Sequence, residues 1–171
     1  MTTLITSQFV QAIRSQFRLD WRGIHGAGHW ARVRANGLTI ATANGANKRV
    51  VEYFAFLHDA CRLSEGRDHE HGQRAELLSR SIRKNLIKLD DNEFNLLVAA
   101  IEGHTHGQDH ENLTVCTCWD ADRLDLTRIG ITPDPARLCT EVGRKLAHLR
   151  ERSPNMMPAL GVDQMPRFTR I

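Results

Sequence analysis

An adjacent histidine and aspartate, His58 and Asp59, stand at the end of an apolar run over residues 53–57. In a helix, His58 would share one face with Phe54 and Ala55, the face that packs into a protein core. The carboxylate that follows would lie beside aromatic side chains, where an unpartnered buried charge costs on the order of several kcal/mol or takes up a proton. A bound metal ion would satisfy both groups, so this pair predicts a metal site.

Further histidines and an aspartate lie on or beside the apolar stripes of other predicted helices. These residues are His29, His71, His104 and Asp122. A single histidine near an apolar face is more often a hydrogen-bonded core residue than a ligand. Several of them in one chain favour ligands that converge inside a helical bundle, where facing helices build metal sites from inward side chains. The residues alone leave both interpretations open.

Apolar residues recur at helical spacing along most of the chain, and no stretch of any length alternates with the period of a strand. Helices are expected over residues 4–19, 29–44, 48–63, 70–89 and 90–104, around 122–129, and from 134–135 onward. Residues 105–118, rich in glycine, histidine and aspartate, are expected to form a long functional loop. The sequence therefore predicts an all-α fold, a compact helical bundle.

Length and charge limit the classes of protein to consider. A chain of 171 residues is long enough for one compact domain. We expect that domain over residues 1–152, with the metal-site core at about 20–130 and a docked or loose C-terminal extension over 153–171. The formal net charge of +3 is too small for a surface that coats nucleic acid, but it does not repel a phosphorylated substrate.

Cysteine spacing and the N-terminal sequence bear on the cellular compartment. The four cysteines form neither a CxxC pair nor the even spacing of a disulfide framework, so we expect reduced thiols. The N-terminus lacks a basic segment followed by an apolar core, and no apolar run approaches the ~18 residues of a membrane span. These features predict a soluble, cytoplasmic protein with no membrane partner.

The order and local sequence of the candidate ligands resemble a known family. The matching segments are HGAGHWARV around His29, HDACR at His58 and Asp59, and WDADRLD around Asp122. They are similar to segments of the HD superfamily of metal-dependent phosphohydrolases, in particular its bacterial members. The similarity covers about residues 20–130. It implies an all-α bundle of the HD-domain type.

The resemblance also implies a set of metal ligands. The direct ligands of a first ion would be His29, His58, Asp59 and Asp122. Members with two metals add two histidines between the His-Asp pair and the last aspartate, and His71 and His104 match those places in order. Nearby competitors are His69, His106 and His110, for which a solvated loop position is the favoured alternative. In two-metal members Asp59 would bridge the ions and so take part in catalysis.

Imidazoles combined with carboxylates make a site suited to a divalent transition metal: Mn²⁺, Fe²⁺, Co²⁺, Ni²⁺ or Zn²⁺, as one ion or two. Mg²⁺ is less suitable because it prefers oxygen ligands and retains its waters. A bound metal lowers the pKa of its water and stabilises phosphoryl oxygens during in-line displacement. This chemistry requires no protein nucleophile.

Arginines near the candidate ligands could bind the substrate phosphate, since a guanidinium matches phosphate through two parallel hydrogen bonds. Arg32 and Arg62 each lie about one turn after a candidate histidine, and Arg123 is a third candidate. The alternative for these arginines is an ion pair with a local carboxylate such as Glu65 or Asp68. Glu65 is also a candidate catalytic proton donor, or a residue that supports one.

Together these features predict a hydrolase that cleaves a phosphoester, most plausibly of a nucleotide, with a metal-activated water. Trp30 and Trp119 could stack on a base, although Trp30 lies on a core stripe, where packing is more common. Three alternatives stay open: a nuclease acting on single-stranded nucleic acid, a signalling module that binds a nucleotide without turnover, and an oxygen-dependent di-iron enzyme. The modest charge disfavours the nuclease. The natural substrate, the metal and the oligomeric state are not set by the sequence.

Overall fold

Seven α-helices and two short 3₁₀ helices follow one another in residues 4–152, the part of the chain that the computed structural model describes. They are α1 (Ser7–Gln16), α2 (Ala27–Asn44), α3 (Lys48–Leu57), α4 (His71–Leu86), α5 (Asp91–Gly103), α6 (Leu113–Arg123), the 3₁₀ helices Leu124–Ile129 and Pro135–Arg137, and α7 (Glu141–Arg152). No strand occurs in these residues. The predicted all-α class is confirmed.

Polar side chains cap the N-termini of four helices, where backbone N–H groups have no partner within the helix. Thr6, Asn47, Asp90 and Asn112 each accept a hydrogen bond from a backbone N–H of the first turn. Asp90 and Glu93 form the predicted capping box, in which each side chain accepts from the other residue's backbone N–H. These caps define where α1, α3, α5 and α6 begin.

Helix α3 ends earlier than the sequence predicts, and this places the His-Asp pair at the helix end. The last helical residue is Leu57, His58 is the C-cap, and Asp59 lies in the turn that follows. The backbone tightens there, because the N–H of Ala60 bonds to the carbonyl of Leu57. The predicted continuation of this helix to Leu63 is therefore wrong.

The segment predicted as a long loop is a loop only in its first half. Residues 105–112 connect α5 to α6, but α6 begins at Leu113. Its β-branched residues are poor helix formers, yet most of α6 is buried, so packing decides the conformation. The short helix predicted around residues 122–129 divides into the end of α6 and the 3₁₀ helix Leu124–Ile129. The helix predicted from residues 134–135 likewise begins as a 3₁₀ turn before α7.

Helices α2 and α3 form the centre of the fold. Helix α2 packs along α3 and α6, and α3 also contacts α5. Seven of the ten residues of α3 are buried, including Tyr53 and Phe54. Trp30 of α2 is fully buried and meets Phe17 and Trp21 edge to face. Trp30 is thus a packing residue, and the central pair of helices gives the site a rigid base.

The predicted extension over residues 153–171 lies outside the described residues, so the domain boundary at residue 152 stays a prediction. The elements from α2 to the first 3₁₀ helix fall within residues 20–130, the span expected to contain the site. Within residues 4–152, no helix combines the length and the apolar character needed to cross a bilayer.

The contact between α2 and α3 depends on Gly37. A Cβ atom there would lie 2.4 Å from Cγ1 of Val51 and 3.3 Å from Cβ of Ala121. Alanine normally stabilises a helix interior by about 0.5–1 kcal/mol relative to glycine. We predict the opposite sign for Gly37→Ala, a loss of roughly 1–3 kcal/mol from overpacking, measured by urea unfolding.

A double-mutant cycle tests the cause of this loss. In a Val51→Ala background, Gly37→Ala should cost less, because the side chain that it meets is smaller. Stabilisation by Gly37→Ala in both backgrounds would show that the two helices are not in close contact at this position.

Candidate metal centre

One carboxylate, that of Asp59, lies between two groups of histidines. Its Oδ2 atom is 3.5 Å from Nε2 of His29 and 3.7 Å from Nε2 of His58. Its Oδ1 atom is 3.2 Å from Nε2 of His71 and 3.7 Å from Nε2 of His104. The two oxygens of one buried side chain therefore face two separate clusters of nitrogen donors.

The first group consists of His29, His58 and Asp122. His29 comes from the first turn of α2, His58 caps the end of α3, and Asp122 comes from the last turn of α6. Nε2 of His29 is 3.0 Å from Nε2 of His58 and 3.4 Å from Oδ1 of Asp122. One ligand atom from each residue lies within 4.8 Å of the others, so this group could hold one ion.

The second group consists of Asp59, His71 and His104. His71 is the first residue of α4, and His104 is the C-cap of α5. Their Nε2 atoms are 2.7 Å apart, and all three residues are buried. This group has the same spacing of ligand atoms as the first and could hold a second ion.

Each of the four histidines has its Nδ1 atom in a hydrogen bond, which directs Nε2 at the clusters. The pairs are His29 with the Asp125 carboxylate (2.7 Å), His58 with the Phe54 carbonyl (3.1 Å), His104 with the Ile101 carbonyl (2.6 Å) and His71 with the Asp68 carbonyl. Because a carbonyl only accepts, Nδ1 donates in the last three pairs and leaves the Nε2 lone pair free in a neutral ring. A metal ligand needs this tautomer.

Burial and neighbouring charges set the protonation states of the first group. Burial lowers the pKa of His58 to about 3, so this ring is neutral. Burial also opposes protonation of His29, but three carboxylates, that of Asp122 foremost, outweigh it and raise the pKa of His29 to about 10. Interactions with the histidines likewise outweigh burial and lower the pKa of the Asp59 and Asp122 carboxyls. The arrangement stabilises positive charge at its centre.

The donor set fits a divalent transition metal. Four imidazole nitrogens and two carboxylates converge, the carboxyl pKa values are low, and the Nδ1–carbonyl bonds of His58, His71 and His104 direct Nε2 at the clusters. A metal ion that binds the first group would displace the proton of His29. Such a mixed set of nitrogen and oxygen donors suits Mn²⁺, Fe²⁺, Co²⁺, Ni²⁺ or Zn²⁺, while Mg²⁺ prefers oxygen donors alone. Asp59 belongs to the second group and faces the first through its other oxygen, which agrees with the expectation of one ion or two.

Asp125, which the sequence analysis did not single out, positions His29. Its Oδ2 atom is 2.7 Å from Nδ1 of His29, and its two oxygens accept from Nε and Nη2 of Arg32 at 2.7 and 3.1 Å. Arg32 is thus engaged by a local carboxylate, although not by Glu65 or Asp68. The sequence feature that could have identified Asp125 is its position in the resembling segment, three residues after Asp122.

A cavity of about 340 Å³ opens onto both groups, a volume that suits a small molecule. The ligand-group residues in its lining are Asp59, Asp122, His71 and His104. Four arginines, Arg62, Arg123, Arg128 and Arg137, line its walls. Leu126, Ile129, Pro133 and Leu138 add an aliphatic side. Arg128 was not predicted from the sequence, because its position along the chain does not indicate whether its side chain faces the cavity.

Arg62 lies directly beside the second group. Its Nη1 atom is 3.4 Å from Oδ1 of Asp59 and 3.4 Å from Nε2 of His71, and its Nη2 donates to a backbone carbonyl at 2.7 Å. Asp68, an alternative partner considered from the sequence, pairs instead with Arg74 at 2.5 Å. The guanidinium of Arg62 is therefore held at the cavity floor.

Arg123 lines the same cavity and immediately follows Asp122 in the chain. Its Nη1 donates to the carbonyl of Arg137 at 3.0 Å, and its Nη2 donates to the carbonyl of Gly107. Its guanidinium carbon is 5.7 Å from the centroid of the Trp119 ring. Neutral backbone acceptors thus fix the orientation of this cation at the cavity wall.

His25 and Glu65 are joined by a hydrogen bond between Nδ1 and Oε2. His25 lines the cavity, while Glu65 lies behind it with a partly exposed side chain. Burial lowers the pKa of His25, and the bond to Glu65 only partly offsets this effect. Glu65 was predicted from the sequence as a candidate proton donor. His25, four residues before His29 in the resembling segment, was not predicted.

Similarity to known proteins is found in structure rather than in sequence. No protein-family model matches the chain, and no curated protein matches it. Among solved structures, the chain matches the crystal structure of a predicted HD superfamily hydrolase from an uncultured Thermotogales bacterium, with a TM-score of 0.68 and 24% identity over 85% of this chain and 84% of that one. The chain shares the fold of that protein. At this identity the likeness concerns the fold, so the roles of individual residues rest on the geometry.

The other histidines and the tryptophan considered from the sequence are not members of the two ligand groups. His69 and His106 are exposed and stack on each other, with ring centroids 5.9 Å apart. His110 packs against Trp119, whose Nε1 donates to the carbonyl of Ala100 at 2.9 Å. These histidines occupy surface or loop positions, and Trp119 is a packing residue beneath the site.

The four cysteines are free thiols. Cys118 is fully buried. The sulfurs of Cys116 and Cys139 lie within 4.8 Å of each other and of a carboxylate oxygen of Asp109. Both donate to carbonyls of the 105–112 loop, and burial raises the pKa of both thiols. These two cysteines therefore tie the loop to α6 and to the segment before α7.

Asp125→Asn tests whether Asp125 supports metal binding by the first group. The variant keeps the size of the side chain but removes the charge that holds His29 and Arg32. We predict that affinity for Mn²⁺ or Ni²⁺ falls by about 10–100-fold, measured by calorimetric titration of chelator-treated protein. Asp134→Asn is the matched control, since Asp134 lines the same cavity but bonds to no histidine. Equal affinities for the two variants would contradict this role of Asp125.

Proposed function

We propose that this chain is a metal-dependent hydrolase that cleaves a phosphoester. One observation carries the proposal: the two oxygens of the buried Asp59 carboxylate face two groups of histidines at the floor of a cavity lined by arginines. This arrangement offers ligands for one or two divalent ions, and it places cationic side chains where an anionic substrate would reach them.

The proposed ligands divide between the two groups. One ion is held by His29, His58, Asp59 and Asp122, and the second by His71 and His104 together with the other oxygen of Asp59. When bound, such ions lower the pKa of a coordinated water and neutralise charge on the phosphoryl oxygens. The protein holds the six side chains in place through their hydrogen bonds and by packing against α3.

Arg62 and Arg123 are proposed to orient the phosphoryl group. Both line the cavity beside the ligand groups, and backbone carbonyls already fix their guanidinium planes. Because both are pre-positioned, little side-chain freedom is lost when a phosphate binds. Arg32 is not part of this proposal: its bidentate pair with Asp125 makes it a positioning residue for His29.

A nucleotide is the substrate class that we propose first. A phosphate at the cavity floor would leave the sugar and base toward the aliphatic side formed by Leu126, Ile129 and Leu138. Apolar side chains of this kind can pack against a base, and the enclosed volume of about 340 Å³ favours a small molecule over a polymer.

The His25–Glu65 pair is proposed to protonate the leaving group. His25 lines the cavity, and its Nδ1 atom is bonded to Glu65, so its Nε2 atom is available for a second hydrogen bond. A carboxylate that bonds to Nδ1 fixes the ring orientation and stabilises the protonated ring. Glu65 would thus act through His25 rather than on the substrate directly.

Asp59→Ala tests the proposed reaction. Phosphate release from nucleotides and from bis(p-nitrophenyl) phosphate is measured with Mn²⁺, Co²⁺, Ni²⁺, Zn²⁺ or Mg²⁺ added. We expect metal-dependent turnover by the wild type and a fall of at least about 10²-fold in the variant, because the carboxylate shared by both ligand groups is lost. Asp91→Ala, at an exposed carboxylate on α5, is the control.

The substrate panel separates the alternatives. Preference for monoesters or diesters would distinguish a nucleotidase from a phosphodiesterase or nuclease. Wild-type protein that turns over no ester with any metal would overturn the proposal. In that case nucleotide binding without product would favour a binding module, and oxygen consumption by iron-loaded protein would favour an oxygenase.

Glu65→Gln tests the proton donor. Hydrolysis of alkyl phosphates should slow by about 10²-fold, since their leaving group needs a proton. The effect on p-nitrophenyl phosphate should be at least about tenfold smaller, because nitrophenolate leaves without one. Glu70→Gln, at an exposed carboxylate near α4, serves as the control. An equal effect of Glu65→Gln on both esters would exclude a role in leaving-group protonation.

A further inference from the structure

Arg128 is a cation on the wall of the cavity whose side chain is largely shielded from solvent. It belongs to the 3₁₀ helix Leu124–Ile129, and its side chain is 9% exposed. Its Nε donates to the carbonyl of Ile24 at 2.9 Å, and its Nη1 donates to the carbonyl of Asp125 at 3.2 Å. Two neutral backbone groups therefore hold the guanidinium in position without neutralising its charge.

The carboxylate beside Arg128 is already engaged elsewhere. Oδ2 of Asp125 is 3.9 Å from Nη1 of Arg128, too far for a hydrogen bond. The same carboxylate accepts from Arg32 at 2.7 and 3.1 Å and bonds to His29 at 2.7 Å. A largely shielded charge without a hydrogen-bonded counterion is costly, and residues of this kind concentrate at sites that bind an oppositely charged ligand.

The rest of the cavity does not supply the missing counterion. Four arginines but only three aspartates line it. Asp59 and Asp122 belong to the two ligand groups, and Asp134 lies 3.9 Å from Arg137. A bound divalent ion would make the cavity more positive still. The unbalanced charge at Arg128 is therefore directed at what enters the cavity.

We propose that Arg128 binds a second anionic group of the substrate, so that the preferred substrates are small phosphoesters with a carboxylate or a further phosphate. This inference rests on the proposed function. Arg62 touches the second ligand group, and Arg123 follows Asp122, so these two serve the scissile phosphate. The polar contacts of Arg128 are with Ile24 and Asp125, outside the ligand set. Its planar fork matches either anion through paired hydrogen bonds.

Matched substrate pairs test this specificity. Glycerol 3-phosphate is compared with 3-phosphoglycerate, which adds a carboxylate, and AMP with adenosine 3′,5′-bisphosphate, which adds a phosphate. In at least one pair, kcat/KM of the wild type should favour the doubly anionic member by at least about tenfold, the effect of one hydrogen-bonded charge. The pair that shows the preference identifies the second anion.

Three variants locate the source of the preference. Arg128→Gln should lower the ratio of the two kcat/KM values by at least about tenfold, mainly through KM of the doubly anionic member. Arg128→Lys, which keeps the charge but loses the fork, should restore part of the ratio. Arg80→Gln removes an equal charge from an exposed pair with Glu76 and should leave the ratio unchanged.

Two outcomes would overturn the inference. The first is a wild type with no preference in either pair. The second is an equal fall in kcat/KM for both members of a pair when Arg128 is changed to Gln. That result would mean that Arg128 only supports Asp125. If the wild type hydrolyses none of the four compounds, the wider panel of esters and metals decides the proposed function separately. Calorimetric binding of the same compounds to metal-loaded wild type and Arg128→Gln then decides the inference without turnover.

Discussion

The structure depends on one buried carboxylate that faces histidines on both of its oxygens. Asp59 is 3% exposed, and nitrogen atoms of four imidazoles lie within 3.7 Å of it. In an apolar core such a group is tolerated only with compensating charge and hydrogen bonds. The described residues supply that compensation in part through a protonated His29, whose pKa rises to about 10. A divalent cation bound at each group would supply it more completely.

The fold brings these side chains together by placing them at helix ends. His58 and His104 are the C-caps of α3 and α5, and each donates Nδ1–H to a carbonyl in the last turn of its own helix. The carbonyl of Phe54 also accepts from the backbone N–H of His58, and in both helices the backbone itself orients the ring. His71 begins α4, and Asp122 lies near the end of α6. Several helices therefore converge on one point, and their termini carry the polar groups.

Much of this arrangement follows from local sequence, and the exceptions have identifiable causes. Apolar stripes and the capping box at Asp90 predict the helices. The order of histidines and aspartates resembles the HD superfamily, and the fold matches that of a predicted HD superfamily hydrolase. The start of α6 was missed because burial on all sides overrides its β-branched residues. Asp125 and Arg128 were missed because contacts across about a hundred residues, to His29 and Ile24, leave no local pattern.

The most direct measurement is anomalous diffraction from crystals grown with Mn²⁺. We predict two peaks on either side of the Asp59 carboxylate, ~3.5–4 Å apart, one against His29, His58 and Asp122 and the other against His71 and His104. A map without a peak at either group, in which Nε2 of His29 keeps its contact with Asp122, would contradict the central claim. It would mean that the protonated histidine alone balances the buried carboxylates.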